Sequence, residues 1–330
     1  MFRVALVGIG DAGKHHARAL EEVEAEGLIS WSAICARDPE RLSSFRRALR
    51  VHERVEDFAG LDALLDARVC DAVVLATPDG LHSVQIERAA SRGLHVLVEK
   101  PLALGLPEGA RAIACAREAN VRLQVGYHLR HHAAHRLVAG RIGALVGKLR
   151  RVFVSWAWPD PATTGWRARG EGARFWSLAA LGTHGIDLAL MFAVAARQER
   201  VPATGWIEEV AAVLEPASGI DRAAEVSLRL EGGVLAHVSV SVSHRAATRL
   251  LVTGDLGEIE AIGTLGARGD GELFHRAPRE APRSLAFEPD NPYSAQLREL
   301  ARLAPAGFVE EPALLANLDV LERIPGRKEP

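Results

Sequence analysis

Apolar residues follow two rhythms along this chain, and the change near residue 125 divides it. In the first part, continuous apolar runs alternate with helical periodicity. Residues 2–9 read as a strand covered on both faces, 11–26 as helix and 29–36 as a second strand. Asp38 then offers an N-cap, with Pro39 at the first helical position. Residues 69–76, 94–98 and 121–125 are further strands, separated by helices over 80–92 and 107–119. Such alternation predicts a parallel, doubly wound sheet.

Beyond residue 125 the period shifts. Residues 149–156 read as a strand, followed by a Gly/Arg/Trp-rich segment and a helix. The runs 223–230, 234–243, 249–253 and 258–262 alternate with period two. They predict an antiparallel sheet with one face on a core and the other polar. Gly232-Gly233 and Gly254-Asp255 are candidate hairpin turns. Residues 292–324 read as helical, broken near Pro305 and Gly307. The expected architecture is α/β: a dinucleotide-binding Rossmann domain over 1–125, then an α+β domain over 126–330 with a large, mostly antiparallel open sheet.

Composition narrows the class. At 330 residues the chain is too long for one ordinary core, which supports two domains. With 48% hydrophobic and 25% charged residues it reads as soluble and globular. A formal net charge of -2 with scattered arginines argues against nucleic acid and membrane partners. The apolar stretch 186–196 is short and lies next to His184 and Asp187, so it reads as a core helix. Three widely spaced cysteines fit a reducing cytoplasm better than a disulfide framework. The first strand begins at once, leaving no room for a signal peptide.

The chemistry starts at Gly8, Gly10 and Gly13, with Asp11 and Ala12 between them. This GxGxxG lies between a strand and a helix, where it permits a tight turn, a close pyrophosphate and close helix packing. The second strand ends Ala36-Arg37-Asp38. Ala36 leaves space and Arg37 can pair with a 2′-phosphate, whereas Asp38 suits the helix cap. NADP is therefore the expected cofactor, with NAD the alternative if Asp38 reaches the ribose. Thr77-Pro78-Asp79 follows one strand end, with His82 just beyond, and Glu99-Lys100-Pro101 follows another. Ligands of open α/β sheets bind outside such carboxyl ends.

These motifs, with Gly140-Arg141-Ile142-Gly143 and Gly182-Thr183-His184-Gly185-Ile186-Asp187, resemble the Gfo/Idh/MocA family of sugar and cyclitol oxidoreductases over nearly the whole chain. The resemblance implies a hydride exchanged between a nicotinamide and a secondary alcohol or ketone of a sugar, cyclitol or related ring. Lys100 matches the family lysine that hydrogen-bonds the reacting oxygen, and His184 the histidine that also reaches it. Glu99 matches a residue near the nicotinamide ribose, and the bond before Pro101 can be cis. Thr77, Pro78 and His82 fall with the cofactor site. Tyr127, Arg130, Trp166, Thr183 and Asp187 fall where the substrate is held. The chemistry agrees: a base needs a pKa drawn towards neutrality, which a desolvated lysine beside a cationic ring acquires.

One departure stands out. The family aspartate four residues before the histidine is Ala180 here, and Arg174-Phe175-Trp176-Ser177 replaces a glycine cluster. Lys100 and His184 suffice, or Asp187 helps from one turn along, or ordinary oxidation is lost. The last case leaves two rivals: a redox-neutral lyase or glycosidase, and a non-catalytic NADP(H)-sensing regulator. Phe175, Trp176 and Trp166 either make a less polar pocket or pack a core. His128, His131, His132 and His135 are spaced as one helix face. No metal is expected there, because the chemistry above needs none and such faces are commonly just polar. Lys14, His15 and His16 read as a solvated helix face. A homodimer or homotetramer through an open sheet face is expected.

Overall fold

The structure is a computed structural model that describes residues 1–159, 166, 173–197, 205–216, 220–308 and 312–325. The chain divides into two compact units, Met1–Gly126 with Tyr293–Glu310 and Tyr127–Pro292 with Glu311–Pro330.

Among the described residues of the first unit, six strands form one parallel sheet. They are β1 (Phe2–Val7), β2 (Ile29–Cys35), β3 (Glu56–Phe58), β4 (Ala72–Leu75), β5 (His95–Val98) and β6 (Leu123–Val125), in the order β3-β2-β1-β4-β5-β6. The helices are α1 (Asp11–Ala25), α2 (Pro39–Leu49), α3 (Leu61–Ala67), α4 (His82–Ala90) and α5 (Leu106–Glu118). Val4, Ala5, Leu6 and Val7 are all buried, as a strand covered on both faces requires. Asp38 caps α2 and Pro39 opens it, as the sequence predicts.

The second unit contains α6 (Ala133–Gly140), α7 (Ile142–Val146) and β7 (Leu149–Ala157), then α8 (Thr183–Ala195). It continues with β8 (Ile207–Glu215), β9 (Ala223–Leu230), β10 (Val234–Ser241), β11 (Arg249–Gly254), β12 (Glu258–Ile262), β13 (Glu272–Arg276) and β14 (Arg283–Ser284). Among the described residues these eight strands form one sheet, β14-β13-β12-β11-β7-β10-β9-β8, antiparallel except where β7 and β10 run parallel. Gly232 and Gly233, at φ +87° and +78°, lie in the three-residue β9–β10 hairpin loop, where glycine takes left-handed backbone without steric cost. Most of the Gly/Arg/Trp-rich segment after β7 lies outside the described residues. Leu178–Ala195 is apolar enough to resemble a membrane span, but 78% of it is buried inside the protein, the mark of a core helix.

The predicted helical tail is two helices, α9 (Pro292–Leu303) and α10 (Pro312–Arg323). The division at residue 125 assigned both to the second part, whereas Tyr293–Glu310 packs with the first unit. Leu297 and Leu300 join the core of Val4, Leu6, Leu20 and Trp31. Ser294 donates to Glu22 at 2.7 Å and Arg298 to Glu26 at 2.7 Å, fixing α9 along α1.

Candidate active site

The first unit gathers its candidate residues at the carboxyl ends of β1, β2, β4 and β5. Gly8 has φ +102°, and a Cβ there would overlap the Ala76 carbonyl oxygen and lie 2.7 Å from its carbon. A Cβ on Gly13 would overlap the Gly8 carbonyl oxygen. Gly10 differs: a Cβ there meets nothing within 4 Å, and no side chain caps α1. Open space thus faces the N-terminal N–H groups of α1, a cradle that fits a pyrophosphate. Asp11 and Ala12 stand in that first turn, where the exposed Asp11 carboxylate pairs with Lys14 at 2.8 Å. Beyond β2, the Ala36 N–H donates to Phe58, and Arg37 is exposed. Both the Glu40 and Arg41 N–H groups donate to the Asp38 carboxylate, at 3.1 and 3.0 Å.

The strand-end row continues through backbone bonds from Ala76 to Val7, Glu99 to Leu75 and Gly126 to Val98. The Thr77 hydroxyl donates to Gln85 at 2.6 Å. His82 is fully buried, with Nδ1 at 2.7 Å from the Pro101 carbonyl and Nε2 at 2.9 Å from that of Thr77, the residue before Pro78. Glu99 and Lys100 are buried, and the Lys100–Pro101 bond is cis. His16 Nε2 donates to Glu99 Oε1 at 2.8 Å, and the Lys100 N–H to Oε2 at 3.2 Å. The Tyr293 ring meets His16 edge-on, with centroids 5.1 Å apart. Burial, then the Glu99 charge, pushes the Tyr293 phenol well above its usual range. Burial lowers His15, which stacks on Tyr293.

His16 therefore overturns the expectation of a solvated face: it is 2% exposed. The signal was in the sequence. Gly13, His16, Ala17 and Leu20 form the buried i, i+3, i+4, i+7 stripe of α1.

The second unit builds its candidate site on α8. A π-helical turn, Leu178–Gly182, leads into it. Cβ atoms on Gly182 and Gly185 would crowd Leu178 and Val238, at 2.6 and 2.7 Å, so these glycines seat the helix close to its own turn and to β10. Asp221 anchors the start, accepting from the N–H groups of Trp176 and Leu178 and from the Ser177 hydroxyl. Nothing local pointed to that residue, because it lies far along the chain.

His184 is buried beside the rings of His128, Trp156 and Tyr127, with centroids 4.6, 5.9 and 6.0 Å away. The Thr183 hydroxyl donates to Asn317 Oδ1 at 2.9 Å, so the Tyr127 hydroxyl donates to Thr183 at 3.2 Å. Arg130 grips Asp187 with two bonds of 2.6 and 2.7 Å, and its guanidinium lies over Tyr127. Both Asp187 oxygens therefore face Arg130. Burial pushes the Asp187 carboxyl up, and the guanidinium pulls it back. Ala180 occupies the π turn. Phe175 and Trp176 are buried, and Trp166 is a partly buried turn residue.

The four histidines do not share one helix. His128 and His131 lie in a short 3-10 turn, His132 caps α6, and only His135 is inside it. His132 Nδ1 accepts from the Ala134 N–H and Nε2 donates to the Asp270 carbonyl. His135 Nδ1 donates to the Leu129 carbonyl, leaving Nε2 to accept from the Thr264 hydroxyl. Both rings are thus neutral tautomers. Burial pulls His131 and His135 down to about 3 and lowers His132. Among the described residues no cluster of His, Cys, Asp or Glu is arranged to hold a metal ion. Cys35 and Cys70 are buried free thiols, which burial pushes up to about 11.

Comparison with known proteins bears on this arrangement. A family model described as an oxidoreductase family with an NAD-binding Rossmann fold matches residues 2–127. A model of the GFO/IDH/MocA C-terminal domain matches residues 131–260. The chain belongs to the Gfo/Idh/MocA oxidoreductase family. A dTDP-3,4-didehydro-2,6-dideoxy-alpha-D-glucose 3-reductase from Actinomadura kijaniata is 36% identical over 48% of this chain and 46% of its own length. The enzyme of that name from Saccharopolyspora spinosa is 29% identical over 69% and 65%. These matches therefore span about half to two thirds of the relatives. A 3-ketoreductase from Actinomadura kijaniata, crystallised with NADP and TDP-benzene, superposes with a TM-score of 0.80 at 24% identity, covering 97% of this chain and 95% of that one. That likeness speaks to fold alone.

Proposed function

We propose that the protein is an NADP(H)-preferring oxidoreductase that moves hydride between nicotinamide C4 and a carbinol or carbonyl carbon of a sugar, cyclitol or related ring. The observation that carries the reading is Lys100, buried at the carboxyl end of β5 in the same row of strand ends as the open turn at Gly10. When bound, the nicotinamide supplies or accepts the hydride. The turn Gly8–Gly13 holds the pyrophosphate, and Thr77, Pro78 and Glu99 border the same strand ends. Reduction adds a proton to the carbonyl oxygen as hydride reaches its carbon. The Lys100 ammonium polarises that oxygen and donates the proton; in oxidation the amine takes it back. His184 is the second group assigned to proton handling. The Asp187 carboxylate holds Arg130 and, through it, the Tyr127 ring.

NADP(H) preference rests on Asp38. Its Oδ1 accepts two backbone N–H groups of α2, which ties the side chain to the cap, while Arg37 stays exposed beside it. A homodimer or homotetramer through the polar face of the second sheet belongs to the same reading; light scattering tests it.

The test is a panel of sugars, cyclitols and their ketones with NADPH and NADH, followed at the nicotinamide absorbance. Turnover faster with NADPH is expected. Equal or faster rates with NADH remove the Arg37 argument. Cofactor binding without turnover on any substrate favours the sensing role instead.

A further inference from the structure

We propose that His16 and His82 are positioning residues for Lys100: two buried imidazoles grip the Glu99–Pro101 turn at its two ends. The proposal rests on the reading of Lys100 as the acid–base group.

At the Glu99 end the carboxylate is a bridge. One oxygen accepts from His16 on α1, and the other accepts from the backbone N–H of Lys100 itself. A Cβ on Gly126 would come within 3.2 Å of the same carboxylate, so β6 closes against it. The helix that faces the pyrophosphate is thereby tied to the Lys100 backbone by two consecutive hydrogen bonds. Tyr293 covers the His16 ring from α9.

At the Pro101 end, His82 joins two strand-end turns. Its Nδ1 lies 2.7 Å from the Pro101 carbonyl and its Nε2 2.9 Å from the Thr77 carbonyl, so one ring links the two turns. His16 and His82 are 2% and 0% exposed, so neither has water as an alternative partner. Lysine has a long flexible stem, and acid–base catalysis depends on where the amine sits; a misplacement of about 1 Å costs on the order of a hundredfold. The backbone turn sets where that stem begins. The two histidines hold both of its ends.

The Gln side-chain nitrogen overlays imidazole Nε2, and the Asn nitrogen overlays Nδ1. His16→Gln thus keeps the bond to Glu99, and His16→Leu removes it. His82→Asn keeps the bond to Pro101, and His82→Gln does not. Each change is made in the wild-type and Lys100→Ala proteins. We expect His16→Leu to lower kcat about tenfold or more, with the NADPH Kd changed less than about threefold. His16→Gln should recover most of that loss, and His82→Asn should exceed His82→Gln by about threefold. In the Lys100→Ala background the same changes should shift kcat less than about twofold, because the group they act through is gone. Equal factors in both backgrounds overturn the proposal, since a merely structural role lowers both alike.

A second readout does not need turnover. The rate of trace acylation of Lys100, measured by peptide mass spectrometry against the exposed Lys148, should change about threefold or more in His16→Leu and His82→Gln. If the wild-type protein turns over no substrate, the oxidoreductase reading falls, and this labelling decides the positioning role alone. Unchanged labelling in both variants overturns it. Should His16→Leu not fold, the His82 pair carries the same comparison.

Discussion

The three glycines of the first turn make separable predictions, because each faces a different neighbour. Gly8→Ala puts an L-residue at φ +102° and drives its Cβ into the Ala76 carbonyl. Left-handed strain of about 1–2 kcal/mol adds to a crowding cost of about 1–3 kcal/mol, so a loss of roughly 2–5 kcal/mol is expected. Gly13→Ala gains up to about 1 kcal/mol of helix propensity. Its Cβ overlaps the Gly8 carbonyl, so crowding of about 1–3 kcal/mol offsets that gain, for a net loss of up to about 3 kcal/mol. Gly10→Ala meets no protein atom within 4 Å, and its φ of −73° suits any residue. Its stability cost is that of a poorer N-cap, under about 1 kcal/mol. Its methyl group occupies the space assigned to the pyrophosphate, and NADPH affinity should fall about tenfold or more, at least ~1.4 kcal/mol. Urea unfolding and fluorescence titration with NADPH separate the two effects. Wild-type affinity in a folded Gly10→Ala protein would refute the assignment of this turn to the pyrophosphate.

Two further predictions concern the second unit. Arg130→Leu leaves the 1% exposed Asp187 carboxylate without its guanidinium and should cost about 3–5 kcal/mol in urea unfolding; adding Asp187→Leu should restore part of that, and strictly additive losses would contradict a coupled pair. His131 and His135 fall to about 3 in the fold, below the ordinary 6.5, so the unfolded chain binds more protons between those values. Their contribution is complete above pH 6.5 and declines as pH falls towards 3, by about 1.4 kcal/mol per unit for each ring. Stability should therefore drop between pH 6.5 and 5, and His135→Gln should flatten the slope; an unchanged slope would show that the ring is not held neutral.

Much of the first unit was legible because its signals are local. Runs of buried apolar residues marked β1, β2, β4 and β5, and glycine spacing marked the cofactor turn. The cap at Asp38 needed only its own tripeptide. Other elements lacked such a signal. β3 is three residues, two of them exposed acids, at the sheet edge. The pairing of β8 shifts register between Ile207 and Glu209, which breaks the period-two pattern. The amphipathic face of α9 says that the helix packs, not against what, so its place beside α1 was not readable. The candidate residues divide in the same way. Lys100 and His184 stand in motifs, whereas Asp221 and Asn317 matter through contacts far apart in sequence. The aspartate replaced by Ala180 illustrates the limit. Sequence showed the gap, and only geometry showed both Asp187 oxygens turned to Arg130.

The proposed function stands or falls with Lys100 handling the substrate proton. The most direct measurement compares kcat of wild type and Lys100→Ala on the best substrate of the panel, with NADPH Kd measured in parallel. Lys100→Ala is expected to lose about 10²–10⁴-fold in kcat with Kd nearly unchanged. Turnover within about threefold of wild type would contradict it.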